Sequence, residues 1–405
     1  MSDKLSTLIE LGSEERRLEA PKKWKEEGKK VFAWTCTYVP EEIIYAAGIL
    51  PIRTLGSVKE QPEAAEAYLP MNSCSFCLSC LDLAVKKEYD FLDGVVATNG
   101  CDDMRRLYDN WAHFVEKPAY KTILDVPHKE NVSARDVFTR RLNTFKQEVE
   151  EVAGNPVTDD ALREAIALYN KTRGLLRRLS DLRKRDIPPI SGTDTMGVVL
   201  AGMSMPKEEY NLMLEGVLNE LESIEPPADG ERQPRLMITG SPLANPAEIK
   251  IIEDLGAVVV ADDLCTGMRY FRDDIDTEGD PMDAISRRYL ERMPCARMLT
   301  HKGRQRTEFD VLCLESCPGY GKPVDSVIHD RKLLHDIQTI EDFRVDGVIY
   351  TALKFCSPWL YTFPAYRDDL KKTLGTPLLM LQREYAATGL AQMRTRVGAF
   401  LEMLE

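Results

Sequence analysis

The sequence predicts an α/β protein of two Rossmann-like domains, parallel sheets flanked by helices, with extra helical segments beside them. Three observations carry this reading. Short apolar, β-branched runs alternate with segments of helical periodicity, as parallel strands buried on both faces require. A polar Pro/Gly stretch, PPADGERQP at 226–234, interrupts the alternation and reads as a linker. Beyond it the pattern restarts, and the halves echo one another. The strand leading into Cys36 and TYVPEE resembles that leading into Ser241 and PLANPAE, and DGVVATNGCDD resembles DGVIYTALKFCSP. Domains of 1–230 and 231–405 are therefore expected, facing each other across a cleft at the carboxyl ends of their strands.

Taken in order, Val31 to Cys36 (VFAWTC) reads as a strand, and Pro40 with EEIIYAAG as a helix ended by Gly48. Pro40 suits a first turn, and Glu41 and Glu42 suit the positive end of the dipole. Ile49 to Arg53 is a short strand and Cys74 opens a helix. Asp93 to Thr98 is a buried strand that turns through Asn99-Gly100-Cys101 into an amphipathic helix, and Tyr120 to Val126 is another strand. Residues 132–182 carry helical periodicity, and a further helix runs from about Pro206 to Ile224. After the linker come a strand at Arg235 to Thr239, a Gly240-Ser241 turn, a helix at Pro246 to Leu255 and a strand at Ala257 to Val260. Strands at Asp346 to Leu353 and Pro377 to Leu381 and a last helix from about Gln392 to Leu404 complete the pattern.

With 43% hydrophobic and 29% charged residues in 405, the chain can bury a sizeable core. Its longest apolar stretch is about ten residues, Ile43 to Ile52, too short to span a bilayer. The opening thirty residues are charged throughout and lack the apolar core of a secretory signal, so a cytoplasmic protein is expected. A net charge of −13 repels a phosphate backbone, which argues against nucleic acid as a partner.

Ten cysteines are unusual for a reducing compartment, where stable disulfides do not persist. Cys36, Cys101, Cys265 and Cys356 each fall at or just after the end of an expected strand, at the edge where such sheets bind ligands. Thiolates select soft metals and iron-sulfur clusters, and with only five histidines, none in a spaced motif, iron-sulfur is favoured over zinc. The run Cys74-x-x-Cys77-x-x-Cys80 has spacing that suits a zinc or a ferredoxin-like site, but Ala84-Val85 stand where a ferredoxin's fourth Cys and Pro belong. At helical spacing Cys77 and Cys80 read equally as core residues. Cys313 and Cys317 precede GYGK, which lacks the first Gly and the final Ser/Thr of a phosphate loop, and no G-x-G-x-x-G follows a strand. Electrons and any nucleotide energy are thus expected from a partner.

Seven ordered segments, TCTYVPEEIIYAAGILPIR, LPMNSCSFC, FLDGVVATNGCDDMRRLY, ITGSPLANPAEIKIIEDLGAVVVADDLCTG, RYLERMPCARM, VDGVIYTALKFCSP and MRTRVGAFLEMLE, together resemble the 2-hydroxyacyl-CoA dehydratase and benzoyl-CoA reductase superfamily, most of all its double-cubane cluster branch. The resemblance implies that Cys74, Cys101 and Cys356 hold one [4Fe-4S] unit. It further implies that Cys36, Cys265 and Cys295, in TCTYVP, DDLCTG and MPCAR, hold a second, joined to the first as an [8Fe-9S] double cubane. Cys77, Cys80, Cys313 and Cys317 are extra, and 299–328 reads as an insertion.

By the same resemblance the chain is a homodimeric, anaerobic, low-potential oxidoreductase. It takes electrons from an ATP-hydrolysing iron-sulfur activator and reduces a small molecule, for which acetylene, azide or hydrazine would serve as assay substrates. The alternatives are a [4Fe-4S] subunit of a 2-hydroxyacyl-CoA dehydratase, a lyase, or of a benzoyl-CoA-type reductase, paired with a homologous subunit; a non-catalytic electron-transfer protein; and a zinc-binding structural protein. Glu41, Glu42 and Asp102 are candidates for proton relay, as are Asp103 and Thr266, although acids at helix starts read equally as caps. Arg105, Arg106 and Arg269 are candidates for compensating cluster charge or docking a partner, although arginines on helices read equally as solvated.

Overall fold

The computed structural model describes residues 3–225, 232–291, 295–298 and 331–404. Cys313, Cys317, most of the 226–234 linker and the 299–328 segment lie outside the described residues. Two four-stranded, all-parallel sheets form the frame. The first has β1 (Val31–Trp34), β2 (Leu50–Arg53), β3 (Gly94–Thr98) and β4 (Tyr120–Leu124) in the order β2-β1-β3-β4. The second has β5 (Arg235–Gly240), β6 (Val258–Asp263), β7 (Gly347–Leu353) and β8 (Leu378–Arg383) in the order β6-β5-β7-β8. These are one topology used twice, so β1 corresponds to β5, β2 to β6, β3 to β7 and β4 to β8. The echo heard in the sequence is therefore a structural repeat. The inner strands β1, β3, β5 and β7 are buried throughout, and so are the edge strands β2 and β6.

Helices cover the sheets. α1 (Asp3–Leu11) and α2 (Glu19–Glu26) precede the first, and α3 (Glu41–Ala46), α4 (Ser75–Val85) and α5 (Asp102–Phe114) connect its strands. The expected helical region at 132–182 is two helices, α6 (Val132–Ala153) and α7 (Asp159–Asp181). The break has local causes: Gly154 adopts φ 82° after the last turn of α6, and the Thr158 side chain caps α7 by accepting from the Ala161 amide. α8 (Gly192–Gly202) and α9 (Lys207–Glu222) follow. In the second half lie α10 (Pro246–Glu253), α11 (Met268–Phe271), α12 (Pro281–Glu291), α13 (Arg331–Asp342), α14 (Ser357–Thr373) and α15 (Leu390–Glu402).

A single continuous core runs through both halves, from Leu5 and Leu8 of α1 to Phe400 and Leu401 of α15. α8 packs on α1 but also on α10 and β6, so the first half's helical extension helps to cover the second sheet. No helix among the described residues is long and apolar enough to cross a membrane.

Candidate functional site

Both sheets present loops at the carboxyl ends of their strands, and the thiols gather there. Cys36 follows β1 by two residues and Cys101 follows β3 by three; Cys265 follows β6 by two and Cys356 follows β7 by three. Cys74 stands before α4, and Cys295 in the short stretch after α12. Cys101 and Cys356 are equivalents under the internal repeat. At the place corresponding to Cys36, the second half has Ser241, whose Oγ accepts from the Leu353 amide at 2.9 Å and so belongs to the β7 edge.

Cross-links between the halves bring the loops together. Arg53, at the end of β2, is buried and donates from Nη1 to Thr37 Oγ1 (3.1 Å) and to the Cys265 carbonyl (2.5 Å), tying the loop of Cys36 to that of Cys265. Arg297 donates to the carbonyls of Gly100 (3.4 Å), Val126 (2.6 Å) and Pro127 (3.2 Å), so the stretch bearing Cys295 is stapled to the edge of the first sheet beside Cys101. The Tyr385 amide donates to Ser75 Oγ at 2.9 Å, holding the start of α4 against the loop after β8.

The six thiols expected to act together fall into two groups of three. Cys74, Cys356 and Cys101 form the first, with the thiols of Cys356 and Cys77 beside Cys74 and favouring its thiolate well below the usual range. Cys356 and Cys77 move the opposite way, well above it, through that same contact and through burial. Cys101 is pushed up to about 12, mainly by burial, with Cys74 and Cys36 adding repulsion. Each member of this group is the residue immediately preceding a helix: Cys74 before α4, Cys101 before α5 and Cys356 before α14. No helix closes a cap hydrogen bond to its sulfur, but nearby amides, of Phe76 and Cys77, of Met104, and of Trp359, favour the respective thiolates. Three positive helix ends thus converge on one group of sulfurs.

Cys36, Cys265 and Cys295 form the second group, which meets the first where Cys36 nears Cys101. Here the positive charge comes from side chains. Burial opposes ionisation of Cys265, yet Arg269 and Arg53 outweigh it and lower that thiol. Cys295 is raised to about 11, burial exceeding the pull of Arg269. The guanidinium of Arg297 lies 4.7 Å over the Tyr38 ring beside this group.

Cys80 stands apart. It is buried on α4 near Gly56, Thr54 and Arg53, and burial raises it to about 12. Cys77 is the seventh thiol at the site, with its Sγ 3.6 Å from Met104 Sδ. Of the acids, Glu42 is wholly buried and bound by Arg173 and by Tyr289 Oη (2.9 Å). Glu41, equally buried, lies 3.5 Å from Lys207 Nζ. Asp102 is exposed and pairs with Arg105 at 3.5 Å, Arg106 is likewise exposed, and Asp103 accepts from the Cys74 amide at 3.1 Å. Thr266 donates to the Leu243 carbonyl. Arg269 is the reverse of a solvated helix residue: it is buried and donates to Cys265 Sγ at 3.0 Å. Arg53 and Arg297 were missed from sequence, and the one hint was an Arg closing an otherwise apolar strand in LPIR.

Among the described residues Asp263, His335 and Asp336 also cluster closely enough to suggest a cation site. Lys332 Nζ already lies 3.0 Å from Asp263 and 2.6 Å from Asp336, so an ammonium supplies the positive charge there. The thiols are the donor set that suits a metal. Their chemistry fits an iron-sulfur centre, since thiolates are the usual cluster ligands and positive groups offset a cluster's negative charge.

A family model described as 2-hydroxyglutaryl-CoA dehydratase, D-component, matches residues 36–404. The chain is 28% identical to a benzoyl-CoA reductase subunit of Thauera aromatica over 394 residues, 95% of this chain and 94% of that one. It is 25% identical to the (R)-phenyllactyl-CoA dehydratase beta subunit of Clostridium sporogenes, covering 96% of both chains. It is also 25% identical to the beta subunit of (R)-2-hydroxyglutaryl-CoA dehydratase of Acidaminococcus fermentans, covering 94% of both.

Proposed function

This chain belongs to the 2-hydroxyglutaryl-CoA dehydratase D-component family, and from that premise we propose that it is a low-potential iron-sulfur reductase component. In this reading it carries an [8Fe-9S] double cubane on Cys36, Cys74, Cys101, Cys265, Cys295 and Cys356. The observation that carries the reading is the second group of thiols. A chain that held a single [4Fe-4S] unit on Cys74, Cys101 and Cys356 would have no evident use for Cys36, Cys265 and Cys295 gathered beside buried guanidinium groups. When bound, the cluster would supply single electrons at low potential, in a class whose potentials reach down to about −700 mV.

The chain's own residues do the rest. The three helix starts and Arg269 offset negative charge. Arg53 and Arg297 clamp the loops so that the sulfurs keep their spacing, and the continuous core behind both sheets keeps water from the inner side of the site. No nucleotide loop is present in the sequence, which supports electron delivery by a separate ATP-hydrolysing iron-sulfur activator. Assembly as a homodimer and reduction of a small molecule belong to the same proposal.

A second reading is favoured by the relatives, whose names are those of CoA-thioester reductase and dehydratase subunits. In it the chain is a [4Fe-4S] subunit that pairs with a homologous partner. Iron counts of single Cys→Ser variants prepared anaerobically separate the two. Under the first reading Cys36→Ser, Cys265→Ser and Cys295→Ser each lose about half of the iron. Under the second they lose none, and only Cys74→Ser, Cys101→Ser and Cys356→Ser do.

A further inference from the structure

Arg269 is built into the protein more firmly than packing alone requires. Its Nε and Nη2 donate to the Asp263 carboxylate at 3.1 and 2.7 Å, Nη2 also reaches the Asp263 carbonyl at 2.5 Å, and the guanidinium lies 4.9 Å from the Trp359 ring centre. That leaves Nη1, which donates to Cys265 Sγ at 3.0 Å. Asp263 Oδ2 is also held by Lys332, and Lys332 in turn by Asp336, which accepts from Tyr366 Oη at 2.7 Å. Asp263 is fully buried, and Arg269 (2.7 Å) and Lys332 (3.0 Å) are the cations that face its carboxylate. A buried ion network of this kind costs several kcal/mol per ion in desolvation unless its geometry is good. Here the geometry leaves one nitrogen, Nη1, and it donates to one sulfur.

The two groups of thiols therefore meet different fields. Around Cys74, Cys101 and Cys356 the positive ends of three helices are partial charges on the backbone. Beside Cys265 stands a permanent full charge on a locked side chain, because a guanidinium does not deprotonate in proteins. Trp359 spans the two: its ring supports Arg269 while its amide lies by the Cys356 sulfur. Hydrogen bonds to cluster sulfurs and nearby charge are what set reduction potentials.

Resting on the six-thiolate reading above, we propose that Arg269 is the positioning residue of the Cys36, Cys265 and Cys295 half of the site. It fixes the Cys265 sulfur and raises the reduction potential of the iron held by that half. The opposite half, which Arg269 does not touch, keeps its own potential. Arg269→Gln keeps much of the side chain's volume and removes the charge; Arg269→Lys keeps the charge and removes the fork.

The test is an EPR-monitored redox titration of both variants and the wild type, purified anaerobically, with iron counted in each. Arg269→Gln is expected to move one transition negative by at least a tenfold change in its reduction equilibrium, about 59 mV for one electron. The other transition stays in place, and Arg269→Lys recovers most of the shift. Loss of about half the iron in Arg269→Gln, recovered in Arg269→Lys, supports the same role through fixation of Cys265. Full iron with both transitions unmoved overturns the proposal, as does loss of all iron in both variants, since the network would then serve the whole fold. The double-cubane reading fails separately, if the wild type holds about four irons and Cys265→Ser keeps them all.

Discussion

Glu42→Gln and Glu41→Gln are neighbouring substitutions that should differ sharply. Glu42 is bound by Arg173, itself buried, and accepts from Tyr289 Oη at 2.9 Å. Burial alone would raise its carboxyl, but Arg173 and Arg288 outweigh burial and hold it below the usual glutamate range. Removing the charge loses two charge-assisted hydrogen bonds at about 1.5–3 kcal/mol each. It leaves the Arg173 guanidinium buried without its anion as part of the same loss, and breaking one side of a buried pair costs about 3–5 kcal/mol in all. Glu41 is the contrary case. Burial raises it more than Lys207, 3.5 Å from its Oε1, and Tyr270 lower it. A glutamine there removes a charge that burial disfavours and gives up the longer Lys207 contact, so its cost is smaller, about 1–2 kcal/mol.

Urea unfolding of the metal-free chain at pH 7, followed by far-UV circular dichroism, should therefore give Glu42→Gln a loss of about 3–5 kcal/mol and Glu41→Gln a smaller one, about 1–2 kcal/mol. Equal losses, or less than about 1 kcal/mol for Glu42→Gln, would refute the reasoning. The pH dependence has opposite signs at the two sites. The lowered Glu42 contributes stability that is present above the ordinary glutamate value of 4.5 and lost as pH falls through its folded value. The raised Glu41 contributes stability that is present below 4.5 and lost as pH rises through its own.

Two further outcomes follow from the same geometry. In the metal-free chain at pH 8, iodoacetamide should label Cys265, whose thiol Arg269 and Arg53 lower against its burial, well before Cys80, which burial raises to about 12; peptide mass spectrometry reads the order, and equal labelling would contradict the assigned environments. Gly240 ends β5 at φ +146°, where a Cβ would stand 1.8 Å from the Thr351 carbonyl of β7, so Gly240→Ala should lower stability by at least about 3 kcal/mol or abolish soluble expression; a midpoint within error of wild type would count against this register.

Much of this architecture was legible because parallel strands buried on both faces leave unbroken apolar runs in the sequence. DGVVAT and DGVIYTAL each gave their strand to within a residue, and the repeat they hinted at is the shared strand order of the two sheets. α8 was not legible. GTDTMGVVLAG is buried on nearly every side between α1, α10 and β6, so it lacks the polar face by which an amphipathic helix is recognised. α1 went unread for another reason: Leu5 and Leu8 are its only buried residues, too few to stand out among charges. At the site, strand ends placed four of the thiols, whereas the loop clamps could not be read. Arg53, Arg269 and Arg297 act through carbonyls and a sulfur distant in sequence, and a buried arginine carries no local mark to distinguish it from a solvated one.

The central claim is that six thiolates of one chain hold a double cubane. It is met most directly by anaerobic purification followed by iron and acid-labile sulfide analysis, with EPR spectra before and after reductant. About eight irons and nine sulfides per chain, with reductant-dependent signals, are the result this account predicts. About four irons would contradict it and leave the single-cluster reading in its place, and a colourless protein with bound zinc would contradict both.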